Sequence, residues 1–220
     1  MIKEKWETGI RSEIRFWTSW TDSQGGEWPC DFADRLNPFL PLQSIFVELC
    51  DKLQGNVINI LDCGAGPLTI IGKQHPTKQV RISAIDALAD EYQKLVFPSP
   101  PPILTEFCET ERLLEKFDVN TFDISYARNT LDHSYNPLVC ISNMISVTKV
   151  GGYIYLQHSQ NEAEHENYIG MHQWNFCVKD ADLFIWNKDE EFNVTKMFKD
   201  MIDIESISSD GVADVILIKR

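Results

Sequence analysis

The sequence predicts an α/β protein whose core is a doubly wound, mostly parallel seven-stranded sheet with an antiparallel terminal strand. Strand-like apolar runs alternate with helix-like segments between residues 56 and 160, a pattern typical of parallel sheets. The first of these strands runs into a glycine-bearing turn, Gly64-Ala65-Gly66. Two apolar runs around Asp210-Gly211 end the chain, which indicates an antiparallel hairpin.

The charge balance restricts the partners. The 220-residue chain has a formal net charge of −13, and no Lys/Arg-rich run occurs in it. Nucleic acids and anionic membranes both attract clustered Lys and Arg side chains. We therefore expect neither nucleic acid nor a membrane as a partner.

The cysteines and the first residues indicate a cytoplasmic protein. None of the six cysteines forms a C-x-x-C pair, and most lie in apolar segments, which favours buried thiols over disulfides or a zinc site. Met1-Ile2-Lys3-Glu4-Lys5 is not followed by the apolar segment of a signal peptide. No run approaches the ~20 apolar residues of a membrane span.

An aromatic stripe predicts the first helix, over residues 1–21. Ile2, Trp6, Ile10 and Trp17 recur at helical spacing between charged residues. Two interpretations remain open: the helix packs on the domain, or it forms a lid whose tryptophans face the active site. The sequence then predicts a loop at 22–29, a turn between 38 and 41, and a helix at 42–53.

From residue 57 onward, the alternating pattern predicts the remaining elements. The predicted strands are 57–61, 80–85, 103–106, 122–127 and 153–158. The predicted helices are 68–73, 88–96, 111–117 and 137–148. A small β insertion pairs 183–186 with 193–197, and the terminal hairpin pairs 202–208 with 212–218.

The turn after the first strand carries the strongest functional signal. Gly64 and Gly66 allow the backbone to approach a ligand where a Cβ atom would collide. A dinucleotide fingerprint would need a third glycine at position 69, which is Thr69. Asp62 would repel a pyrophosphate and suits a cationic ligand better. An ordinary strand-to-helix turn is the alternative interpretation.

Asp62, Gly64 and Gly66 match the first motif of the class I S-adenosylmethionine-dependent methyltransferases, which this sequence resembles. The frequent third glycine of that motif is replaced by Leu68. Asp86, 24 residues after Asp62, is placed to accept ribose hydroxyls or to cap a helix. The resemblance implies a Rossmann-like fold and the cofactor S-adenosylmethionine, with S-adenosylhomocysteine as product.

The resemblance continues through the fourth strand into Leu131-Asp132-His133, and into Gly151-Gly152 before the fifth strand. It implies that Glu109 holds the adenine amino group, although a first-turn helix carboxylate is an equal alternative. The cofactor residues that we predict are Asp62, Gly64, Ala65, Gly66, Asp86, Ala87, Glu109, Thr110, Arg128 and Asn129.

Histidine suits proton transfer at neutral pH, and the predicted catalytic residues are His133, His158 and His172. The polar, aromatic stretch that leaves the fifth strand is interpreted as the acceptor loop. Its predicted contacts are Asn161, Glu162, Tyr168, His172 and Trp174. A structural hydrogen bond is the alternative for each histidine. The pair Asp132/His133 could suggest a metal site, but no Asp–Asn pair at suitable spacing accompanies it. We therefore expect no metal.

These observations predict one domain, 1–220, with a helical cap or lid at 1–55, a cofactor-binding core at 56–160, and an acceptor loop with closing strands at 161–220. The predicted function is methyl transfer to a small polar acceptor, by O-methylation of a sugar or glycan precursor. Segments 161–164 and 172–176 resemble methyltransferases of bacterial polysaccharide gene clusters. The alternatives are a protein or peptide methyltransferase and a non-catalytic cofactor-binding module.

Overall fold

The computed structural model describes residues 3–220, so Ile2 of the predicted first helix lies outside the described residues. Three helices precede the sheet: α1 Lys3–Asp22, α2 Pro29–Leu36 and α3 Ser44–Lys52. The core elements are β1 Val57–Cys63, β2 Gln79–Asp86, α4 Ala89–Tyr92, β3 Thr105–Phe107, α5 Leu113–Lys116, β4 Phe122–Arg128, α6 Pro137–Val147 and β5 Thr148–Ser159. The remaining elements are α7 Glu162–His165, β6 Asn175–Lys179, β7 Asp182–Trp186, β8 Glu191–Asn193, α8 Val194–Met197, β9 Ile202–Ser208 and β10 Val212–Lys219.

The seven-stranded sheet has the order β3-β2-β1-β4-β5-β10-β9. Strands β1 to β5 are parallel, and β10 is antiparallel to both of its neighbours, β5 and β9. The predicted fold class is therefore confirmed. The chain moves outward in one direction from β1 and in the other from β4. The carboxyl ends of these two strands form the topological switch point where open α/β sheets bind ligands.

Apolar side chains cover both faces of the sheet. On β1, Ile58 and Ile60 belong to the cluster that includes Phe46 and Leu49 of α3. Leu61 and Cys63 belong to the opposite cluster, with the buried face of α6. Burial on both faces explains the nearly continuous apolar runs of the parallel strands. No helix among residues 3–220 has the length and apolar character needed to cross a bilayer.

The segment after the glycine turn is irregular, so the predicted helix at 68–73 is wrong. Arg35 Nη1 donates to the carbonyl of Leu68, and the Gln43 amide bonds both the carbonyl of Ile70 and the N–H of Gly72. The N–H groups of residues 73 and 74 donate to the carbonyl of Leu40. Side chains and backbone from the N-terminal region thus satisfy polar groups that a helix would otherwise pair internally.

The β insertion is larger than predicted. It is a three-stranded antiparallel sheet, β6-β7-β8, of which the sequence indicated only β7. Residues 194–197, predicted as a strand, form helix α8, which begins where the Asn193 side chain accepts a bond from the N–H of Lys196. Helix α2 was not predicted, and the helix predicted at 88–96 is reduced to the single turn α4.

Candidate active site

A cavity of about 690 Å³ lies at the carboxyl ends of β1, β2 and β4. Helix α1 forms its opposite wall through Trp6, Glu13, Phe16 and Trp17. The predicted site residues that line it are Asp62, Gly64, Ala65, Gly66, Asp86, Ala87, Thr110, Arg128, Asn129, His133, Glu162 and His172. The predicted site residues outside its lining are Glu109, His158, Asn161, Tyr168 and Trp174.

The two glycines of the turn have the left-handed conformation that favours glycine, with φ of +70° at Gly64 and +64° at Gly66. A Cβ atom on Gly64 would lie 1.8 Å from Oγ1 of Thr130, and one on Gly66 would lie 2.8 Å from the ring of Trp17. The N–H groups of Gly64 and Ala65 donate to the carbonyl of Ile85. The turn is therefore held against β2 and packed by the chain's own side chains.

Asp62 is buried at the end of β1, where Thr69 Oγ1 donates to its Oδ2 at 2.5 Å. Burial raises the pKa of Asp62 to about 6, because desolvation outweighs the hydrogen bond from Thr69 and the charge of Arg35. Thr69, at the position where a dinucleotide fingerprint would have glycine, thus stabilises the carboxylate through this hydrogen bond. Even with the charge of Arg35 nearby, burial makes the ionised carboxylate costly.

Asp86 holds two backbone amides at the other side of the turn. Its Oδ2 accepts from the N–H of Gly66 at 3.0 Å, and its Oδ1 accepts from the N–H of Leu88 at 2.8 Å. Burial raises the pKa of Asp86 to about 6, against the lowering effect of these two bonds. Asp86 does not cap α4, whose cap residue is Leu88.

The acidic residue that faces the cavity after β3 is Glu111 rather than Glu109. Glu109 is buried and accepts a bond from the Tyr135 hydroxyl at 2.8 Å. Glu111 lines the cavity, and its Oε1 accepts from the N–H groups of Tyr135 and Asn136. Burial raises the pKa of Glu111. The sequence indicated this acidic stretch, but the 3₁₀ turn Thr110–Arg112 determines which side chain turns inward.

Asp132, His133 and His172 form a cluster on the cavity wall, which we call the Asp–His–His cluster. His172 Nδ1 lies 2.9 Å from Asp132 Oδ2 and 3.0 Å from His133 Nε2. His133 Nε2 lies 3.4 Å from the same carboxylate oxygen. The sequence motif indicated Asp132 and His133, but nothing local indicated that His172 would join them.

His158 is not placed for catalysis, so this prediction is wrong. The ring is 1% exposed, stacks on Phe176 with centroids 4.1 Å apart, and accepts a hydrogen bond from the N–H of Leu131 at 3.2 Å. Burial lowers the pKa of His158 to about 4. It therefore stays neutral and supports the 3₁₀ turn Leu131–His133 that carries two cluster residues.

Three of the predicted acceptor contacts are structural. Asn161 accepts from Trp186 Nε1 at 3.2 Å, and the Tyr168 hydroxyl accepts from Asn175 Nδ2 at 3.1 Å. Trp174 is 4% exposed and belongs to the hydrophobic core. None of the three lines the cavity, so the structure does not place them where the predicted contact with an acceptor would need them. Glu162 and His172 do reach the cavity, together with Glu166 and Met171.

Helix α1 faces the cavity with aromatic and acidic side chains. Trp17 packs over Gly66, and its Nε1 donates to Glu13 Oε1 at 2.8 Å. Glu13 Oε2 in turn lies 4.0 Å from His133 Nδ1. This geometry is compatible with the lid interpretation, because the helix touches both the glycine turn and the Asp–His–His cluster.

Acidic side chains dominate the charge of the cavity. The lining contains two arginines, Arg35 and Arg128. The acidic lining residues are Glu13, Asp62, Asp86, Glu111, Asp132, Glu162 and Glu166. The excess of carboxylates gives this concave site a negative potential, which attracts cations.

The sheet order and the position of this cavity define the fold of the class I S-adenosylmethionine-dependent methyltransferases. A methyltransferase from Aquifex aeolicus superposes with a TM-score of 0.50 at 15% identity, over 95% of this chain and 98% of that one. A methyltransferase from Methanosarcina mazei superposes with a TM-score of 0.50 at 16% identity, over 82% of this chain and 99% of that one. The methyltransferase CalH, solved with S-adenosylhomocysteine, superposes with a TM-score of 0.54 at 11% identity, over 80% of this chain and 55% of that one.

At these identities the similarity establishes the shared fold. No protein-family model matches this sequence, and no curated protein sequence matches it.

Replacing Gly64 by alanine tests the packing of the turn. We expect Gly64→Ala to lower the free energy of unfolding by several kcal/mol, because the new methyl group would overlap Thr130. Gly55→Ala is the control: its φ is +87° and nothing lies within 4 Å of the added atom, so it should cost about 1 kcal/mol of backbone strain. Urea unfolding of both variants measures the difference, and equal losses would contradict the packing role.

Replacing His158 tests its structural role. His158→Ala removes a buried ring and the acceptor for the Leu131 amide, so we expect the free energy of unfolding to fall by about 2–4 kcal/mol. His158→Gln, which retains an acceptor, should lose less. Chemical denaturation measures both. Unchanged stability in His158→Ala would contradict the structural role and return this residue to the list of catalytic candidates.

Proposed function

We propose that this protein transfers a methyl group from S-adenosylmethionine to an oxygen atom of a small polar acceptor. The observation that carries the proposal is that two sets of candidate functional residues line one cavity of about 690 Å³. The glycine turn with Asp62 and Asp86 lines this cavity, and so does the Asp–His–His cluster. Methyl transfer needs such an arrangement, because the acceptor must be aligned beside the methyl group.

The residues present fit this cofactor. S-adenosylmethionine carries an ammonium and a sulfonium charge, and two carboxylates whose pKa is raised to about 6 by burial would each gain from a nearby cation. Asp86 would hold the ribose hydroxyls and Asp62 would support the methionine end. When bound, the cofactor supplies a methyl group that its sulfonium centre already activates.

The chain's own residues must then bind the acceptor, orient it and favour loss of its proton. We assign these tasks to the Asp–His–His cluster, with Glu162 and Glu166 as further polar groups on the same wall. The walls also present the rings of Trp6, Trp17 and Trp28. Aromatic faces beside carboxylates and imidazoles suit a hydroxylated molecule such as a sugar, and we propose a sugar or glycan precursor as the acceptor.

Enclosure by α1 favours a small acceptor over a protein or peptide. Intact carboxylates at Asp62 and Asp86 favour a chain that binds the cofactor over one that has kept only the fold, since the latter would have no use for two carboxylates that are costly to bury.

Methyl-labelled S-adenosylmethionine tests the proposal directly. The protein is incubated with the labelled cofactor and a host lysate, and small metabolites are then separated from macromolecules. Label in a small, polar, base-stable product is the expected result. Label in protein would support the alternative of a protein methyltransferase. Cofactor binding without any transfer would support the binding module.

Substitution of Asp86 should weaken cofactor binding. Asp86→Asn keeps the shape of the side chain but removes its charge, and we expect the Kd for S-adenosylmethionine to rise by about 5- to 150-fold, equivalent to about 1–3 kcal/mol. Asp90→Asn, an exposed aspartate close by in α4, is the control. Calorimetric titration measures both variants, and an unchanged Kd in Asp86→Asn would remove Asp86 from the site.

Cofactor affinity should depend on pH around 6. The pKa values of Asp62 and Asp86 are both raised to about 6, so both are ionised at pH 8 and protonated at pH 5. The ionised forms bind the cofactor better, because ionised Asp62 attracts its positive charge and ionised Asp86 accepts hydrogen bonds from both ribose hydroxyls. Affinity should therefore fall as the pH is lowered through 6, and binding at pH 6 should release protons. Titration in buffers of different ionisation enthalpy measures that release; a flat profile between pH 5 and 8 would contradict the assignment.

A further inference from the structure

The Asp–His–His cluster brings three metal-ligating atoms together. Asp132 Oδ2, His133 Nε2 and His172 Nδ1 are separated by 2.9, 3.0 and 3.4 Å. Among residues 3–220 these three form a group whose ligand atoms all lie within 4.8 Å of one another. They face the cavity, and its carboxylate excess would favour any cation that enters.

These separations are those of ligands on one metal ion. With metal–ligand bonds of about 2.1 Å, two ligands at a right angle lie about 3.0 Å apart, and two at the tetrahedral angle lie about 3.4 Å apart. The three observed distances cover this interval. The atoms therefore already form one triangular face of a coordination sphere, and a single point can lie at bonding distance from all three.

Hydrogen bonds alone do not satisfy the three residues of this cluster. A ring nitrogen has a single in-plane direction for either a proton or a lone pair, yet His172 Nδ1 lies within 3.0 Å of both His133 Nε2 and Asp132 Oδ2. If it donates to the carboxylate, it cannot accept from His133, and the reverse also holds. In addition, Asp132 is 3% exposed and its Oδ1 has no hydrogen-bond partner in the described structure. A cation shared by the three atoms removes this conflict.

The surroundings hold the three residues in place. The carbonyl of Asp132 accepts from the N–H groups of Gln173 and Trp174, which joins the segment carrying His172 to the 3₁₀ turn. Ser134 Oγ donates to the carbonyl of Leu131 at 2.7 Å, and His158 receives the Leu131 amide. Supporting bonds of this kind orient the ligands of metal sites.

We propose that Asp132, His133 and His172 bind a divalent first-row transition metal ion. Two imidazoles and one carboxylate suit Zn²⁺, Mn²⁺ or Fe²⁺, whereas Mg²⁺ and Ca²⁺ prefer oxygen ligands. Three protein ligands leave coordination positions open toward the cavity. Resting on the proposed function, we assign those positions to the acceptor's oxygen; Glu162 and Glu166 then remain to receive its proton.

This proposal reverses the expectation of no metal. Near Asp132 in the sequence, no Asp–Asn pair at suitable spacing offers further ligands. The third ligand instead comes from His172, which lies beyond β5 and α7 in the chain. Its approach to Asp132 depends on the path of the acceptor loop.

Metal binding by the full-length protein tests the proposal without any measurement of activity. The protein is stripped with a chelator and dialysed against Zn²⁺ or Co²⁺, and bound metal is quantified. We expect one equivalent per chain and a visible d–d spectrum for Co²⁺. His172→Ala and Asp132→Asn should each weaken binding by about 100-fold or more, a loss at least as large as that seen on removing a supporting residue.

The control is His165→Ala, an exposed histidine in α7 that lies outside the cluster. It should bind one equivalent with unchanged affinity. Circular dichroism and thermal unfolding verify that each variant is folded. The absence of stoichiometric binding in the unmodified protein would overturn the proposal, as would equal affinity in folded His172→Ala and His165→Ala.

Cofactor titration of the same samples separates this proposal from the proposed function. Stoichiometric metal binding without affinity for S-adenosylmethionine would support the metal site and overturn the methyltransferase assignment. Transfer of label at full rate by chelator-treated, metal-free protein would overturn the assignment of the open coordination positions to the acceptor's oxygen and leave the methyltransferase assignment standing.

Discussion

Two carboxylates, Asp62 and Asp86, are held on either side of one glycine turn with their pKa values raised to about 6. Asp86 holds the turn directly, since it accepts the Gly66 amide, and the turn packs against Thr130 and Trp17. Burial of these acidic groups at the switch point of the sheet lowers the stability of the folded protein. A cationic ligand would offset that cost, and this links the architecture to the proposed cofactor.

The Asp–His–His cluster, which lines the same cavity, also contains a buried carboxylate. Asp132 is buried, and although desolvation would raise its pKa, the charge of His133 and the hydrogen bond from His172 lower it overall. Glu13 connects the two regions, because it accepts a bond from Trp17 above the glycine turn and lies near His133. Movement of α1 would therefore change contacts at both the glycine turn and the Asp–His–His cluster.

Local patterns predicted what local geometry determines. The strand–turn arrangement around Gly64 and the end of β2 at Asp86 follow from short-range rules, and the structure has both. The helix at 68–73 failed because Arg35, Gln43 and the carbonyl of Leu40 capture its backbone groups, a tertiary effect. His158 had a local signal that was overlooked: strand alternation puts it on the face of Ile154 and Leu156, in the core. The meeting of His172 with Asp132 is non-local, and no pattern indicated it.

The most direct test of this account is a ¹³C NMR titration of the Asp62 and Asp86 carboxyl carbons, with and without S-adenosylmethionine. Asn variants assign the two signals. The account predicts that both groups titrate near pH 6 in the free protein and that the cofactor shifts both midpoints downward, because a bound cation stabilises the ionised forms. Midpoints near 4, the ordinary value for aspartate, in both samples would contradict it.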